Sequence, residues 1–192
     1  MDFLQSIKQK AKADKKTIVL PESLERRTLE ATQIILQEEL ANIILVGNKE
    51  AILEKAEGLD ISGAEIIDPA NYAQMEDFIE TLVELRKSKG MTREQAAKLL
   101  QDPLYFGVMM VKKGIADGMV AGAVNSTANV LRPSLQILKT APNTKLVSAF
   151  FVMVVPDCEY GSNGIFIFGD SGLVPNPNAE ELAAIAISSA KS

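Results

Sequence analysis

The 192-residue chain has no histidine and no tryptophan, and it contains one cysteine, Cys158. Without histidine, every scheme in which imidazole activates a serine or cysteine nucleophile is excluded, and so is the commonest zinc ligand. One cysteine excludes an internal disulfide and suits a reducing compartment, so we expect a cytoplasmic protein. No cluster of acids or soft ligands has metal spacing, so we expect no metal. Any chemistry must therefore use carboxylates, arginines, hydroxyls and backbone groups.

Long apolar runs and excess positive charge are also missing. The longest mostly apolar run, residues 146–155, is about half the length that spans a bilayer, and residues 1–16 lack the apolar region of a signal peptide. The net charge of −5 argues against nucleic acid, because binding to a phosphate backbone needs a broad basic surface. We therefore expect neither a membrane nor a nucleic acid as partner, whereas a small anion needs only a few donors.

What the sequence does contain is a regular alternation of short apolar runs with helical segments. Strands are predicted at residues 17–20, 43–46, 65–67, 118–122, 146–154 and 165–168. Helices are predicted at residues 24–40, 49–57 and 72–89, and from start signals at Thr92, Asp102 and Asn178. Uniformly apolar strands between helices favour a mostly parallel sheet covered on both faces, which is an α/β fold with three α/β/α layers.

A turn-forming cluster at residues 141–144 indicates where the chain divides. We predict a first α/β domain over residues 1–144 and the start of a second over residues 145–192, which opens with a hairpin-like pair of strands. The second part is too small to stand alone, and its last helix reaches the final residue without a cap. We therefore predict that the second domain is incomplete.

The segment from Asp117 to Thr140, DGMVAGAVNSTANVLRPSLQILKT, is the strongest candidate site. In open parallel sheets ligands bind beyond the carboxyl ends of the strands, where this strand, polar turn and helix would meet. Ser126 and Thr127 are good helix caps, and a helix start directs free N–H groups at an anion. Arg132 adds a permanently charged planar fork that suits phosphate. We therefore predict an anion site here, in which Arg132 contributes more than Arg86.

Four other positions each allow two interpretations. Glu22 follows the first strand and is either a carboxylate in a cleft or a first-turn acid that stabilises a helix dipole. Asp170 lies between a strand and a helix, where plain turn chemistry is the alternative. Arg86, in the last turn of its predicted helix, can equally stabilise that helix end. Cys158 stands between two acids with no base, which disfavours a nucleophilic role.

Taken together, these residues closely resemble bacterial phosphate acetyltransferases, also called phosphotransacetylases. The resemblance is carried in order along the chain by KTIVLPES, LRKSKGMTREQA, GMVAGAVNSTANVLRPSLQILKT and VVPDCEYGSNGIFIFGDSGLVPNPNAEELAAIA. It implies a two-domain α/β/α fold related to isocitrate and isopropylmalate dehydrogenases, usually dimeric, with the active site in the cleft between domains. It also implies reversible transfer of an acetyl group between coenzyme A and phosphate in acetate metabolism. Coenzyme A is then a substrate, and no cofactor is bound permanently.

By the same resemblance, the phosphate-site arginines of the family match Arg86 and Arg132. Its Ser-Thr pair before the helix matches Ser126 and Thr127. Family members continue past Ser192, and the additional part carries a further phosphate arginine and the proposed aspartate base. That aspartate would take the proton of the coenzyme A thiol, while the arginines stabilise phosphate and the developing oxyanion.

The chain departs from the family's sequence pattern at two places, and the resemblance leaves alternative functions open. Asn125 stands where many relatives have histidine, and Asp170 alone carries over from the family's FADCA to the FGDSG of this chain. A non-catalytic acyl-CoA-binding regulatory module and an inactive fragment of the enzyme are alternative functions, and butyryl is an alternative acyl group. The complete protein is expected to be a homodimer.

Overall fold

The computed structural model of the chain describes residues 3–142, 144 and 146–192. The chain forms two compact units, of which the first ends at Lys139 and the second spans Thr140–Ser192. The helices of the first unit are α1 (Phe3–Ala13), α2 (Arg26–Gln37), α3 (Lys49–Lys55), α4 (Met75–Arg86), α5 (Arg93–Leu99), α6 (Pro103–Lys112) and α7 (Thr127–Ile137). Its strands are β1 (Lys16–Leu20), β2 (Ala41–Val46), β3 (Glu65–Ile67) and β4 (Gly118–Met119). The second unit contains β5 (Phe150–Val154), β6 (Ile165–Gly169) and α8 (Ala179–Lys191).

A parallel sheet with the strand order β3-β2-β1-β4 forms the centre of the first unit. β1 pairs with β2 along its whole length, with Ile18 opposite Ile43. β4 pairs with β1 at two positions, of which one joins Met119 to Val19. The predicted mixed α/β class with a parallel sheet is therefore confirmed.

Alternate residues of the strands pack on opposite faces of this sheet. Ile43, Ile44, Leu45 and Val46 of β2 are each no more than 3% exposed. On one face the strands pack against helical side chains of α4, α6 and α7, among them Phe78, Leu82, Phe106 and Ile137. On the other face they pack against α2 and α3, chiefly through Leu29 and Ile52. Each such buried side chain contributes about 1.5–3 kcal/mol relative to an exposed one, so the helices are fixed on the sheet from both sides.

Three helices begin where their sequence signals predict. Thr92 caps α5 in a capping box, because its hydroxyl accepts from the Gln95 amide at 3.2 Å while the Gln95 side chain accepts from the Thr92 amide at 3.0 Å. Asp102 caps α6 by accepting from the Leu104 amide at 2.8 Å. Asn178 caps α8 in a second capping box. Local side-chain chemistry thus fixes these three starts.

The second unit is an antiparallel hairpin of β5 and β6, on which α8 packs. Ile185 and Ser189 of α8 are buried, but large apolar side chains on the strands and on the helix remain about half exposed. These are Phe151 at 59%, Phe168 at 56%, Leu182 at 54% and Ile187 at 56%. The hairpin-like pair expected from the sequence is therefore present, with much of its apolar surface uncovered.

Several predicted elements differ in extent. α1 was not foreseen, and its Lys8 pairs with Glu38 at 2.6 Å. The predicted strand at 118–122 ends at Met119, because Gly122 turns the chain with a φ of 117°. The predicted helix at 24–40 begins at Arg26, because Glu25 adopts an extended conformation and caps it. No helix in the described part of the chain is long and apolar enough to cross a membrane.

Candidate active site

The candidate site begins at the loop between β4 and α7. The chain leaves β4 and enters α7 with Ser126 as the N-cap, whose hydroxyl accepts from the Asn129 amide at 3.3 Å. That contact uses an oxygen lone pair, so the Ser126 proton stays available for donation. Thr127 is the first helical residue, and both hydroxyl side chains are exposed. The first-turn amides of a helix have no intrahelical acceptor, so this end of α7 can offer donors to an anion.

Arg132 lies in the second turn of α7 and is exposed. It is therefore beyond the first-turn amides, rather than directly at the helix start as the sequence pattern indicated. Among the described residues it forms no ion pair with a carboxylate. The positive charge of Arg132 is thus available to a ligand, and it is separate from the first-turn amides of α7.

Arg86 is the last residue of α4, and its Nε atom is buried without a hydrogen-bond acceptor in the described part of the chain. A guanidinium group stays charged at any physiological pH. Leaving one of its N–H groups buried and unpaired is costly, so such a group normally has a partner such as a water, an ion or a bound ligand. This position therefore has a second indication of ligand binding beyond its place at a helix end.

Tyr105 of α6 lies in the electrostatic field of both arginines. Its hydroxyl donates to Oε1 of Gln136 on α7 at 3.2 Å. Burial raises the pKa of Tyr105, while the positive charges of Arg132 and Arg86 both act to lower it. The two positive charges therefore influence the Tyr105 hydroxyl in the same direction.

Sequence reasoning missed both Tyr105 and Gln136. The signal for Gln136 was present, since residues four apart lie on the same face of a helix and Gln136 follows Arg132 by four. Tyr105 carried no such signal, because it sits within a continuous apolar run and is only 8% exposed. Its importance depends on the packing of α6 against α7, which no local pattern encodes.

Glu22 is not in the first turn of a helix, so its interpretation as a helix-dipole acid is wrong. It lies between β1 and α2, is 8% exposed, and turns its carboxylate toward the loop before α7. Oε2 accepts from the amides of Gly122 at 2.8 Å and Ala123 at 2.7 Å. Oε1 accepts from the amides of Val124 at 3.0 Å and Asn125 at 2.8 Å, and from Nδ2 of Asn125 at 2.9 Å. The Asn125 side chain is thus bonded to Glu22.

These contacts set the charge of Glu22. Burial raises the pKa of Glu22, but the hydrogen bonds from the Asn125 side chain and from the loop amides outweigh it and hold the pKa at about 2. The carboxylate is therefore ionised throughout the physiological range.

Asp170 belongs to the second unit, in the turn after β6. Its carboxylate accepts from the amides of Val174 at 2.7 Å, Ala149 at 3.2 Å and Leu173 at 3.3 Å. Burial raises the pKa of Asp170, but these backbone hydrogen bonds act in the opposite direction and the pKa is lowered overall. The described contacts of Asp170 therefore hold its own turn and tie it to Ala149, the residue before β5.

A cavity of about 370 Å³ opens at the carboxyl ends of β1 and β2. It is lined by Glu22, Ser23, Val46 and Gly47 from the ends of these two strands, and by Asp102, Leu104, Val124 and Asn125 from the start of α6 and the loop before α7. No group of three or more acids and cysteines among the described residues is arranged to hold a metal ion. A parallel sheet, a polar loop at the carboxyl ends of its strands, and two arginines without a carboxylate partner among the described residues define an α/β protein that can bind an anion.

The particular family follows from comparison with known proteins. The chain belongs to the phosphate acetyl/butaryl transferase family, whose model matches residues 2–192. It is 59% identical over 192 residues to a phosphate acetyltransferase of Acetivibrio thermocellus, covering 100% of this chain and 58% of that protein. It is 54% identical over 190 residues to a phosphate acetyltransferase of Thermoanaerobacterium thermosaccharolyticum, covering 99% of this chain and 58% of that protein.

Solved structures agree with this assignment. The EutD phosphotransacetylase from Staphylococcus aureus superposes with a TM-score of 0.88 at 37% identity, covering 98% of this chain and 56% of that one. A phosphotransacetylase from Streptococcus pyogenes gives a TM-score of 0.87 at 36% identity, covering 97% of this chain and 57% of that one. The chain therefore spans a little over half the length of each of these four relatives.

Proposed function

We propose that this chain supplies the phosphate-binding part of a phosphate acetyltransferase. The complete protein would interconvert acetyl-CoA and phosphate with acetyl phosphate and coenzyme A, in acetate metabolism. The observation that carries this proposal is the Nε of Arg86, which is buried and unpaired in the described part of the chain. The charges of Arg86 and Arg132, which both act to lower the pKa of Tyr105, support it. Family membership over the whole chain supports the choice of phosphate as the anion.

The reaction fits the groups that this chain provides. In one direction a phosphate oxygen attacks the thioester carbonyl of acetyl-CoA, the carbon–sulfur bond breaks, and the coenzyme A sulfur leaves and takes up a proton. In the other direction the thiol loses its proton and attacks acetyl phosphate, which releases phosphate. Arg86 and Arg132 would neutralise the phosphate charge in both directions. The hydroxyls of Ser126 and Thr127 would donate hydrogen bonds to the acyl phosphate or to coenzyme A.

The thiol base is not assigned to this chain. Glu22 and Asp170 are the acids that we considered for strand ends, and backbone amides hold both of them. By resemblance to the family, the aspartate base and a further phosphate arginine would come from the part of the relatives that this chain does not cover. Coenzyme A would be a substrate, with no permanently bound cofactor and no metal.

The assembly of the complete protein is also part of the proposal. We infer that it is a homodimer, as the resemblance to the family implies. We place the domain boundary after residue 144, and we infer a fold related to the isocitrate and isopropylmalate dehydrogenases. A cytoplasmic location suits the single free cysteine.

A thiol assay tests the function directly. The complete enzyme can be made by joining this chain to the uncovered portion of the Acetivibrio thermocellus relative. Acetyl-CoA with phosphate should release free thiol, and control reactions without phosphate should release none. Butyryl-CoA in place of acetyl-CoA tests the acyl group. Faster turnover of butyryl-CoA would identify butyryl as the preferred acyl group. Coenzyme A binding without turnover would favour the regulatory module, and neither binding nor turnover would favour the inactive fragment.

A further inference from the structure

The loop before α7, residues 122–125, is held by hydrogen bonds to residues that follow β1 in the sequence. Glu22 receives hydrogen bonds from four consecutive loop amides, those of residues 122–125, and from the Asn125 side chain, all at 3.0 Å or less. Consecutive N–H groups that point into one concavity are the usual backbone arrangement for binding an anion. Here the anion is a side chain of the protein itself.

The carboxylate has no capacity left for another role. A carboxylate offers about four lone-pair positions on its two oxygens, and five N–H groups approach those of Glu22. A general base must present a free lone pair to the proton that it removes. Glu22 therefore cannot serve as the thiol base while the loop keeps this conformation.

The same loop is also held through a carbonyl group. Nη2 of Arg27 donates to the Ala123 carbonyl oxygen at 2.8 Å, and Nε of Arg27 pairs with Glu25 at 2.6 Å. Glu22, between β1 and α2, thus holds the donors of the loop, and Arg27, in the first turn of α2, holds one of its acceptors, about one hundred residues away in the sequence. The loop leads without interruption into Ser126, the N-cap of α7.

We propose that Glu22 is a positioning residue, whose carboxylate fills the anion-binding concavity of residues 122–125 and thereby fixes where α7 begins. Filling the concavity keeps the substrate anion off the loop and directs it to Ser126, Thr127 and Arg132. The inference depends on the proposed phosphate site, because only that site gives the position of α7 a catalytic consequence. It adds to that site a residue that touches neither substrate nor reacting atoms.

The test uses Glu22→Ala and Glu22→Gln in the complete enzyme, with Glu30→Gln as the matched control. Glu30 is an exposed acid that pairs with Arg26 on α2, away from the loop. We expect both Glu22 variants to lose about 10- to 100-fold in kcat/KM for phosphate, the scale of a misplaced catalytic group. We expect Glu22→Gln to lose kcat/KM as Glu22→Ala does, because the NH2 group of glutamine would face backbone N–H donors and cannot accept from them. The Glu30 variant should match the wild type.

Three further measurements separate positioning from a general loss of stability. Hydrogen exchange of the amides at 122–125 should become faster in both Glu22 variants. Formate should slow that exchange again in Glu22→Ala and restore part of its turnover, whereas chloride at equal ionic strength should not. In an Arg132→Ala background, Glu22→Ala should lower kcat/KM for phosphate much less than it does in the wild type, because the effects of residues that act through one another are not additive.

Wild-type exchange rates at 122–125 in both Glu22 variants would overturn the proposal, and so would fully additive losses with Arg132→Ala. If the complete wild-type enzyme transfers no acetyl group, the proposed function fails. The hydrogen-exchange and formate measurements still decide whether Glu22 holds the loop, so the two failures can be told apart.

Discussion

The hydroxyl of Tyr105 donates a hydrogen bond to Oε1 of Gln136 over 3.2 Å. Gln136 lies one helical turn after Arg132 on α7. A core side chain therefore fixes the face of α7 that carries a site arginine. Tyr105→Phe removes the donor and leaves the Gln136 oxygen without it, so the free energy of unfolding should fall by about 0.5–1.5 kcal/mol. Urea denaturation measures this change. Tyr160→Phe is the control, because Tyr160 is 70% exposed. Equal stability of Tyr105→Phe and wild type would show that this bond contributes nothing.

Arg86 should contribute to binding and not to stability. Its Nε is buried without an acceptor among the described residues, and replacing such a charged group by an apolar one is often neutral or stabilising. In the complete enzyme, Arg86→Met should keep or raise the melting temperature measured without phosphate. It should also lose the rise that phosphate gives the wild type, because only the folded state binds the ligand. Arg93→Met, at an exposed ion pair with Glu76, should keep that rise. A phosphate-induced rise of normal size in Arg86→Met would contradict the site.

Arg132 is exposed and unpaired among the described residues, so its removal should affect the ligand alone. Arg132→Ala should weaken phosphate-side binding or turnover by about 1.5–3 kcal/mol, the scale of a hydrogen bond to a charged group. Steady-state kinetics with phosphate varied at saturating acetyl-CoA measure it. We expect a larger loss than in Arg86→Ala, since Arg132 lies on the same helix, α7, as the hydroxyl donors Ser126 and Thr127. Unchanged kinetics in Arg132→Ala would remove this residue from the site.

The sequence predicted the parts of this fold that depend on neighbouring residues. The capping boxes at Thr92 and Asn178 are local chemistry, and both helices begin there. The apolar strands β1 and β2 could be predicted because side chains on both of their faces are buried. Contacts between distant segments could not be predicted in this way. Glu22 reaches loop amides about one hundred residues away, and Tyr105 reaches Gln136 across a helix pair, so neither partner is visible in a local pattern.

Glu22 also predicts a pH dependence of stability. Its pKa is about 2 in the folded protein against an ordinary value of 4.5, so the folded state favours the ionised form. Its contribution should be fully present above about pH 4.5 and should be lost as the pH falls toward 2. The difference in melting temperature between the wild type and Glu22→Gln should therefore be largest near neutral pH and should shrink in that acidic window. The nearby charges of Arg27 and Glu25 are common to both proteins, so they largely cancel. A constant difference across the window would show that the carboxylate charge is irrelevant.

The last prediction concerns the chain by itself. Arg86, Arg132, Ser126 and Thr127 can hold phosphate, but no group assigned here removes the thiol proton. Acid–base catalysis typically contributes about 10²–10⁴-fold to a rate, and closure of an active site also excludes water.

The 192-residue chain should therefore show negligible acetyl-phosphate synthesis, whereas the chain joined to the uncovered portion of its relative should be active. The apolar side chains exposed on the second unit, such as Phe151 and Phe168, should also make the shorter chain self-associate. Thiol release by both purified proteins, measured beside size-exclusion chromatography, tests both statements. Comparable specific activity from a monodisperse 192-residue protein would show that a thiol base lies within this chain, and the acids at the strand ends would then have to be reconsidered as catalytic groups.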